Sequence, residues 1–137
     1  MTPVPYVDLV KHNQALRSRI LEAVDRVLGH GQFINGPEVS ELEEKLAQRL
    51  AVKEAVGVGS GTSALTLVMR ALDIGPGDEV ITVSHSYVAT ATSVCLVGAT
   101  PVFVDIDPAT GLMDPDLLAA AISSRTKAVI PVHLGGV

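Results

Sequence analysis

Apolar residues recur along this chain with two different periods. Over residues 9–28 the spacing is helical: Leu16, Ile20, Val24 and Val27 fall on one face, and Gly29 is placed to end the helix. A glycine-flanked loop, residues 30–36, follows. Pro37 suits the first position of a second helix. Its stripe is Val39, Leu42, Leu46 and Leu50, with Glu41, Glu44 and Lys45 turned outward. After residue 53 the pattern becomes short strand, then helix, repeatedly. Strands are predicted at residues 55–58, 80–83, 101–104 and 127–133. Helices are predicted at residues 62–72 and 87–97, and a further one starts with Asp114 as cap and Pro115 at its first position. The 87–97 segment is apolar nearly all round, which predicts deep burial. Gly75-Pro-Gly-Asp78 is a turn.

Alternation of this kind predicts an α/β fold, a mostly parallel sheet with helices on both faces and right-handed crossovers, preceded by two N-terminal helices. The expected division is a helical segment at residues 1–53 and an α/β unit at 54–137. The sequence stops a few residues after a strand, with no closing helix. Because parallel sheets are normally covered on both faces, the chain reads as the front part of a larger domain.

Composition narrows the class. The 137 residues are 47% hydrophobic and 18% charged, as in a globular domain, and the net charge of −5 is scattered. No basic run or stripe points to nucleic acid. The single cysteine, Cys95, excludes an internal disulfide and fits a reducing, cytoplasmic setting. Its apolar neighbours predict a buried, inert thiol. The first residues lack the basic and apolar regions of a signal peptide. Residues 80–104 contain no Asp, Glu, Lys or Arg, but Ser84, His85, Ser86, Thr90, Thr92, Ser93, Gly98 and Pro101 make a membrane span a poor reading. A buried strand–helix–strand explains the run.

The most informative chemistry lies at Ala55-Val-Gly-Val-Gly-Ser-Gly-Thr-Ser-Ala-Leu65. A short apolar run ends in glycines and a small-residue helix starts at once. Free N–H groups and the positive end of a helix dipole then converge on one spot, which suits an anion such as phosphate. Ser60 and Thr62 offer hydroxyl donors. Gly59 and Gly61 allow close backbone approach and positive φ. A Walker loop needs a lysine that is absent here. A dinucleotide fingerprint is met loosely by Gly59, Gly61 and Ala64, but no acid ends the next strand. A compact phosphate clamp for a small cofactor, or a glycine turn without a ligand, are the other readings.

Ser84-His85-Ser86-Tyr87 falls at the same predicted sheet edge, where open α/β sheets bind ligands. The Tyr87 ring could stack on a flat cofactor or simply pack. His85 could donate to a ligand, although a surface histidine is the plainer reading. Asp105-Ile-Asp107 shares two positions with the Asp-x-Asp-x-Thr of aspartyl phosphatases, but Ala109 replaces the threonine, so a loop turn is favoured. Asp105, Asp107 and Asp114 lack the further ligands a metal site would need, and no metal is assigned. His133 follows a buried strand and reads as a satisfied histidine.

Several segments together resemble one family. They are Gly31-Gln-Phe-Ile-Asn-Gly-Pro-Glu-Val39, Gly59-Ser-Gly-Thr-Ser-Ala-Leu65, Gly75-Pro-Gly-Asp-Glu-Val80, Ser84-His-Ser-Tyr-Val-Ala-Thr90, Gly98-Ala-Thr-Pro-Val-Phe-Val-Asp-Ile-Asp107, Arg125-Thr-Lys127 and Pro131-Val-His-Leu134. In this order they resemble the N-terminal part of the DegT/DnrJ/EryC1/StrS sugar aminotransferases, which use pyridoxal 5'-phosphate. The resemblance implies a type I aminotransferase fold, a homodimer without nucleic-acid or membrane partners, and amino transfer, with glutamate the usual donor, to a keto-sugar nucleotide. It serves polysaccharide or antibiotic-sugar biosynthesis. By the same resemblance Gly61 and Thr62 hold the cofactor phosphate and Tyr87 stacks on its ring, and Ser60, with its hydroxyl donor, is counted with them as cofactor-binding. Phe33, Asn35 and His85 lie near substrate or the subunit interface.

Two features of that family have no match here. One is the acid that pairs with the pyridine nitrogen, and the other is the lysine that binds the cofactor aldehyde. Lys11, Lys45, Lys53 and Lys127 stand elsewhere, and Gly135 replaces a usual tyrosine. No catalytic residue is therefore assigned, and the chain alone is expected to be inactive. A binding or assembly module that pairs with a full-length relative, and a nucleotide-binding oxidoreductase fragment, are the alternatives.

Overall fold

The computed structural model describes residues 4–136, so Met1, Thr2, Pro3 and Val137 lie outside the described residues. The chain divides into two compact units, Met1–Gly57 and Val58–Val137.

The first unit holds helices α1 (Leu9–Gln14), α2 (Arg17–His30) and α3 (Pro37–Leu50). Asp8 starts α1 by accepting from the Lys11 amide at 2.9 Å. The single helix expected over residues 9–28 is broken, because the Leu16 amide bonds back only three residues to the Asn13 carbonyl, at 3.1 Å. The apolar period runs through this break without marking it. Helix α2 also passes Gly29 and ends at His30, with Gly31 left-handed at φ 72° and its amide on the Val27 carbonyl. Glycine inside a helix costs only about 1 kcal/mol, so the first glycine need not stop it. Pro37 takes the first position of α3, as expected. Val39, Leu42, Leu46 and Leu50 line α3 but stay exposed, and Ala47 is buried.

No strand forms at residues 55–58. The segment has the composition of a strand, but a strand is made by its ladder. Here the Gly57 amide bonds instead to Oε1 of Glu43 on α3, at 2.6 Å.

The second unit runs α4 (Gly61–Ala71), β1 (Glu79–Val83), α5 (Ala89–Leu96), β2 (Thr100–Val104), α6 (Pro115–Ala121) and β3 (Thr126–Val129). The three strands form a parallel sheet in the order β2-β1-β3. Every residue of the central strand β1 is buried, as expected of a strand covered on both faces. Val80 packs on one side with Met69, Ile74, Val94 and Ala99, from α4, α5 and the turns beside them. Ile81 and Val83 pack on the other side with Val104, joined by Leu118 and Ala121 of α6. Helices therefore cover both faces of a parallel α/β sheet.

Three further differences from the sequence reading have local causes. Strand β3 stops at Val129 rather than reaching His133. The Ile130 amide still bonds to the Ile81 carbonyl at 2.8 Å, but Pro131 has no N–H to continue the ladder. Helix α5 starts at Ala89, not Tyr87, and only Thr90, Ser93 and Val94 are buried. It buries one side, so Cys95 is exposed rather than buried. The turn after α4 is as expected: Oδ2 of Asp78 accepts from the Gly75 amide at 3.0 Å, and Gly77 adopts φ 94°. Among the described residues no helix is long and apolar enough to cross a membrane, and no group of His, Cys, Asp and Glu could hold a metal ion.

Candidate functional site

Helix α4 supplies the centre of the candidate site. Ser60 is extended, at φ −165° and ψ 162°. Its Oγ accepts from the Ser63 amide at 3.1 Å and lies 2.9 Å from Ser63 Oγ. The Ala64 amide bonds to the Ser60 carbonyl at 2.9 Å, the first full turn of the helix. The amides of Gly61 and Thr62 have no acceptor among the described residues. They are the orphan donors every helix start leaves, and they sit at the positive end of the dipole.

The glycines act differently from the expectation. Neither Gly59 nor Gly61 has positive φ. A Cβ built on either meets nothing within 4 Å, so both border open space. They border open space without an unusual backbone. Ser60 Oγ caps the helix as an acceptor, which leaves its own O–H able to donate. Thr62 is half-buried and lines a groove of about 330 Å³ with Ser63, Thr66, Leu67, Arg70 and Leu96. Arg70 is the one charged side chain in that lining.

Topology brings the second expected segment to the same edge. Helix α4 feeds through the turn at residues 72–78 into the start of β1, so its own start faces the edge where β1 ends. Ser84-His85-Ser86-Tyr87 leaves β1 at that edge. The Ser86 amide bonds to the Ser84 carbonyl at 2.8 Å, and Ser86 Oγ lies 2.7 Å from Thr90 Oγ1. These bonds tie the segment to the first turn of α5 and leave Tyr87 76% exposed, with His85 exposed beside it. Phe33 and Asn35 belong to the first unit, in the loop between α2 and α3. Asn35 is left-handed at φ 49°, and Phe33 is 68% exposed.

One cluster escaped the sequence reading. At the opposite edge, where β1 and β3 begin, Ser123 Oγ donates to Glu79 Oε2 at 2.5 Å. Arg125 donates from Nε to Oε1 at 2.9 Å and pairs through its Nη2 as well. The Ser123 hydroxyl first, and the Arg125 guanidinium second, hold the Glu79 carboxyl below its ordinary 4.5. The only sequence signal was an acid opening an otherwise apolar strand. Its partners lie more than forty residues away.

The parallel α/β fold is shared with solved aminotransferases. The match to DesV of Streptomyces venezuelae has a TM-score of 0.92 at 43% identity, covering 98% of this chain and 36% of that one. The match to NtdA of Bacillus subtilis, solved with the cofactor PMP bound, has a TM-score of 0.92 at 35% identity, covering 99% and 32%. The chain belongs to the DegT/DnrJ/EryC1/StrS aminotransferase family, whose model matches residues 14–137. A UDP-2-acetamido-2-deoxy-3-oxo-D-glucuronate aminotransferase of Pseudomonas aeruginosa is 51% identical over 133 residues, 97% of this chain and 37% of that protein. A UDP-N-acetyl-3-dehydro-alpha-D-glucosamine 3-aminotransferase of Acidithiobacillus ferrooxidans is 48% identical over 135 residues. The chain spans little more than a third of the length of these relatives.

Proposed function

We propose that this chain is the front part of a pyridoxal-phosphate-dependent aminotransferase that delivers an amino group to a keto-sugar nucleotide. In this reading residues 1–53 are its N-terminal helical segment and 54–137 the start of its cofactor-binding domain. The observation that carries it is the pair of unpartnered amides on Gly61 and Thr62, with nothing of the chain crowding the space beside Gly61. A dianionic phosphate has the charge and the acceptors those donors lack. The names of the relatives support the sugar-nucleotide substrate, and solved relatives with pyridoxal or pyridoxamine phosphate support the cofactor; glutamate as amino donor is part of the proposal. A homodimer working in the cytoplasm is part of the same proposal.

The roles of the residues follow. The Gly61 and Thr62 amides, with the Thr62 hydroxyl, hold the phosphate. Ser60 keeps the helix start in shape through its bond to Ser63. Tyr87, placed at the same edge and free of packing, lies against the cofactor ring. His85, Phe33 and Asn35 serve the substrate or interface side. When bound, the cofactor supplies the electron sink that amino transfer requires.

Calorimetry on the whole chain tests the grip. Pyridoxamine 5'-phosphate is the probe, because without an aldehyde it cannot condense with surface lysines. It should bind, whereas pyridoxamine lacking the phosphate and NAD should not. Tyr87→Ala should weaken pyridoxamine phosphate by about threefold to tenfold, the worth of one aromatic contact, and leave inorganic phosphate unaffected. Equal binding with and without the phosphate, or preference for NAD, would refute the proposal.

A further inference from the structure

The loop between α2 and α3 is held by side chains that the cofactor site does not use. Nε2 of His30 lies 3.2 Å from Oε1 of Glu38. The Gln32 amide donates to Nδ1 of the same ring at 3.0 Å. A backbone amide can only donate, so Nδ1 is the bare nitrogen and the ring proton sits on Nε2, directed at Glu38. Hydrogen bonding, from backbone first and from His30 second, holds the Glu38 carboxyl below its ordinary 4.5. Glu38 is therefore ionised throughout the range in which histidines titrate.

Two further contacts shape the loop. The Gln32 side chain donates from Nε2 to the Asn35 carbonyl at 3.1 Å. Gly36 is buried, and a Cβ there would meet the Gln32 carbonyl oxygen at 2.6 Å. Phe33 and Ile34 are left at the tip, 68% and 82% exposed.

We infer that His30 is a positioning residue, a proton-sensitive clasp that fixes the 31–36 loop while its ring is neutral and releases Gln32 when Nδ1 takes a proton. The protonated ring carries N–H groups on both nitrogens. Its Nδ1–H then faces the Gln32 N–H, and that bond is lost. The bond to Glu38 becomes charge-assisted and tightens, which draws the ring toward α3 and away from the loop. Arg26 of α2 and Glu41 of α3 are the other charges acting on Glu38, and Glu41 is itself paired with Lys45. Acid thus loosens the backbone that presents Phe33 and Ile34. The clasp needs no ligand, so its failure would leave the cofactor reading intact, and failure of that reading would leave the clasp.

Amide exchange followed by NMR on the labelled whole chain tests this. The protection factor of the Gln32 amide, its rate relative to the intrinsic rate at each pH, is followed from about pH 8 to about pH 5 alongside the His30 ring signals. His30→Gln is the informative variant, because glutamine offers one acceptor and one donor but does not titrate. Wild-type protection should fall about tenfold as the ring takes its proton, the scale of one hydrogen bond. His30→Gln should hold its protection across the range. His30→Ala should lack it throughout, with α2 and α3 amides unchanged. Wild-type protection that stays constant while the ring titrates, or His30→Ala as protected as wild type, overturns the clasp.

Discussion

Gly61 separates what the fold needs from what a ligand needs. A Cβ there meets no atom of the chain, and its backbone is not in the left-handed region. Gly61→Ala should therefore fold as well as the wild type or gain up to about 1 kcal/mol, since alanine is the better helix residue. The same methyl group would enter the open space beside Gly61, which the proposed phosphate shares. Thermal melts and pyridoxamine phosphate titrations should accordingly diverge, with Tm held or raised and affinity lost. Unchanged affinity would remove the phosphate from this helix start. The residue types of the site were legible in sequence because a glycine–serine helix start has few uses. The division of labour was not. A serine before a helix can cap it, donate to a ligand, or do both, and the 3.1 Å bond to the Ser63 amide shows that Ser60 caps.

At the scale of elements, periodicity located the helices better than it located their ends. Pro37 and Pro115 fixed two helix starts, because proline's missing N–H is harmless there. Helix α2 ran past one glycine to the next, and β3 was cut short by a proline that the apolar run disguised. The strand expected at residues 55–58 failed because local composition does not supply a neighbour. Pairing between distant residues was equally hidden, and the Glu79 cluster is the clearest case. Glu79 is nearly buried whereas Arg125 is two-thirds exposed, so solvent screens the ion pair and the Ser123 bond leads. The folded-state carboxyl sits below its ordinary 4.5. Its contribution is therefore present above that value and is lost as pH falls through the lower, folded-state value. Glu79→Gln keeps an acceptor but no charge. Its Tm should be lower than wild type near neutrality and should converge on wild type in acid. Parallel curves of Tm against pH would mean that Glu79 does not anchor the start of β1 to β3.

For the molecule as a whole, the order of motifs was the strongest signal, and the family match over residues 14–137 bears out the resemblance. What the chain can do alone is a different matter from what its relatives do, because it spans 37% of the Pseudomonas protein. Its lysines are Lys11, Lys45, Lys53 and Lys127, and Lys127 lies near the start of β3, the edge away from Tyr87. Lys127 is therefore not placed to hold a cofactor aldehyde at the start of α4. Borohydride reduction of the chain with pyridoxal phosphate, followed by peptide mapping, should therefore show scattered low-level labelling and no transaminase turnover. One stoichiometrically labelled lysine accompanied by turnover would mean that the chain is a self-sufficient catalyst.

The start of α4 has a last consequence, for how tightly a ligand is held as its own ionisation changes. Two bare amides at a positive pole attract a doubly ionised phosphomonoester more strongly than a singly ionised one. Such esters shed their second proton near pH 6. In mildly acidic solution the hold at this helix start should slacken through the ligand's own protonation, because the ligand would have surrendered half its charge.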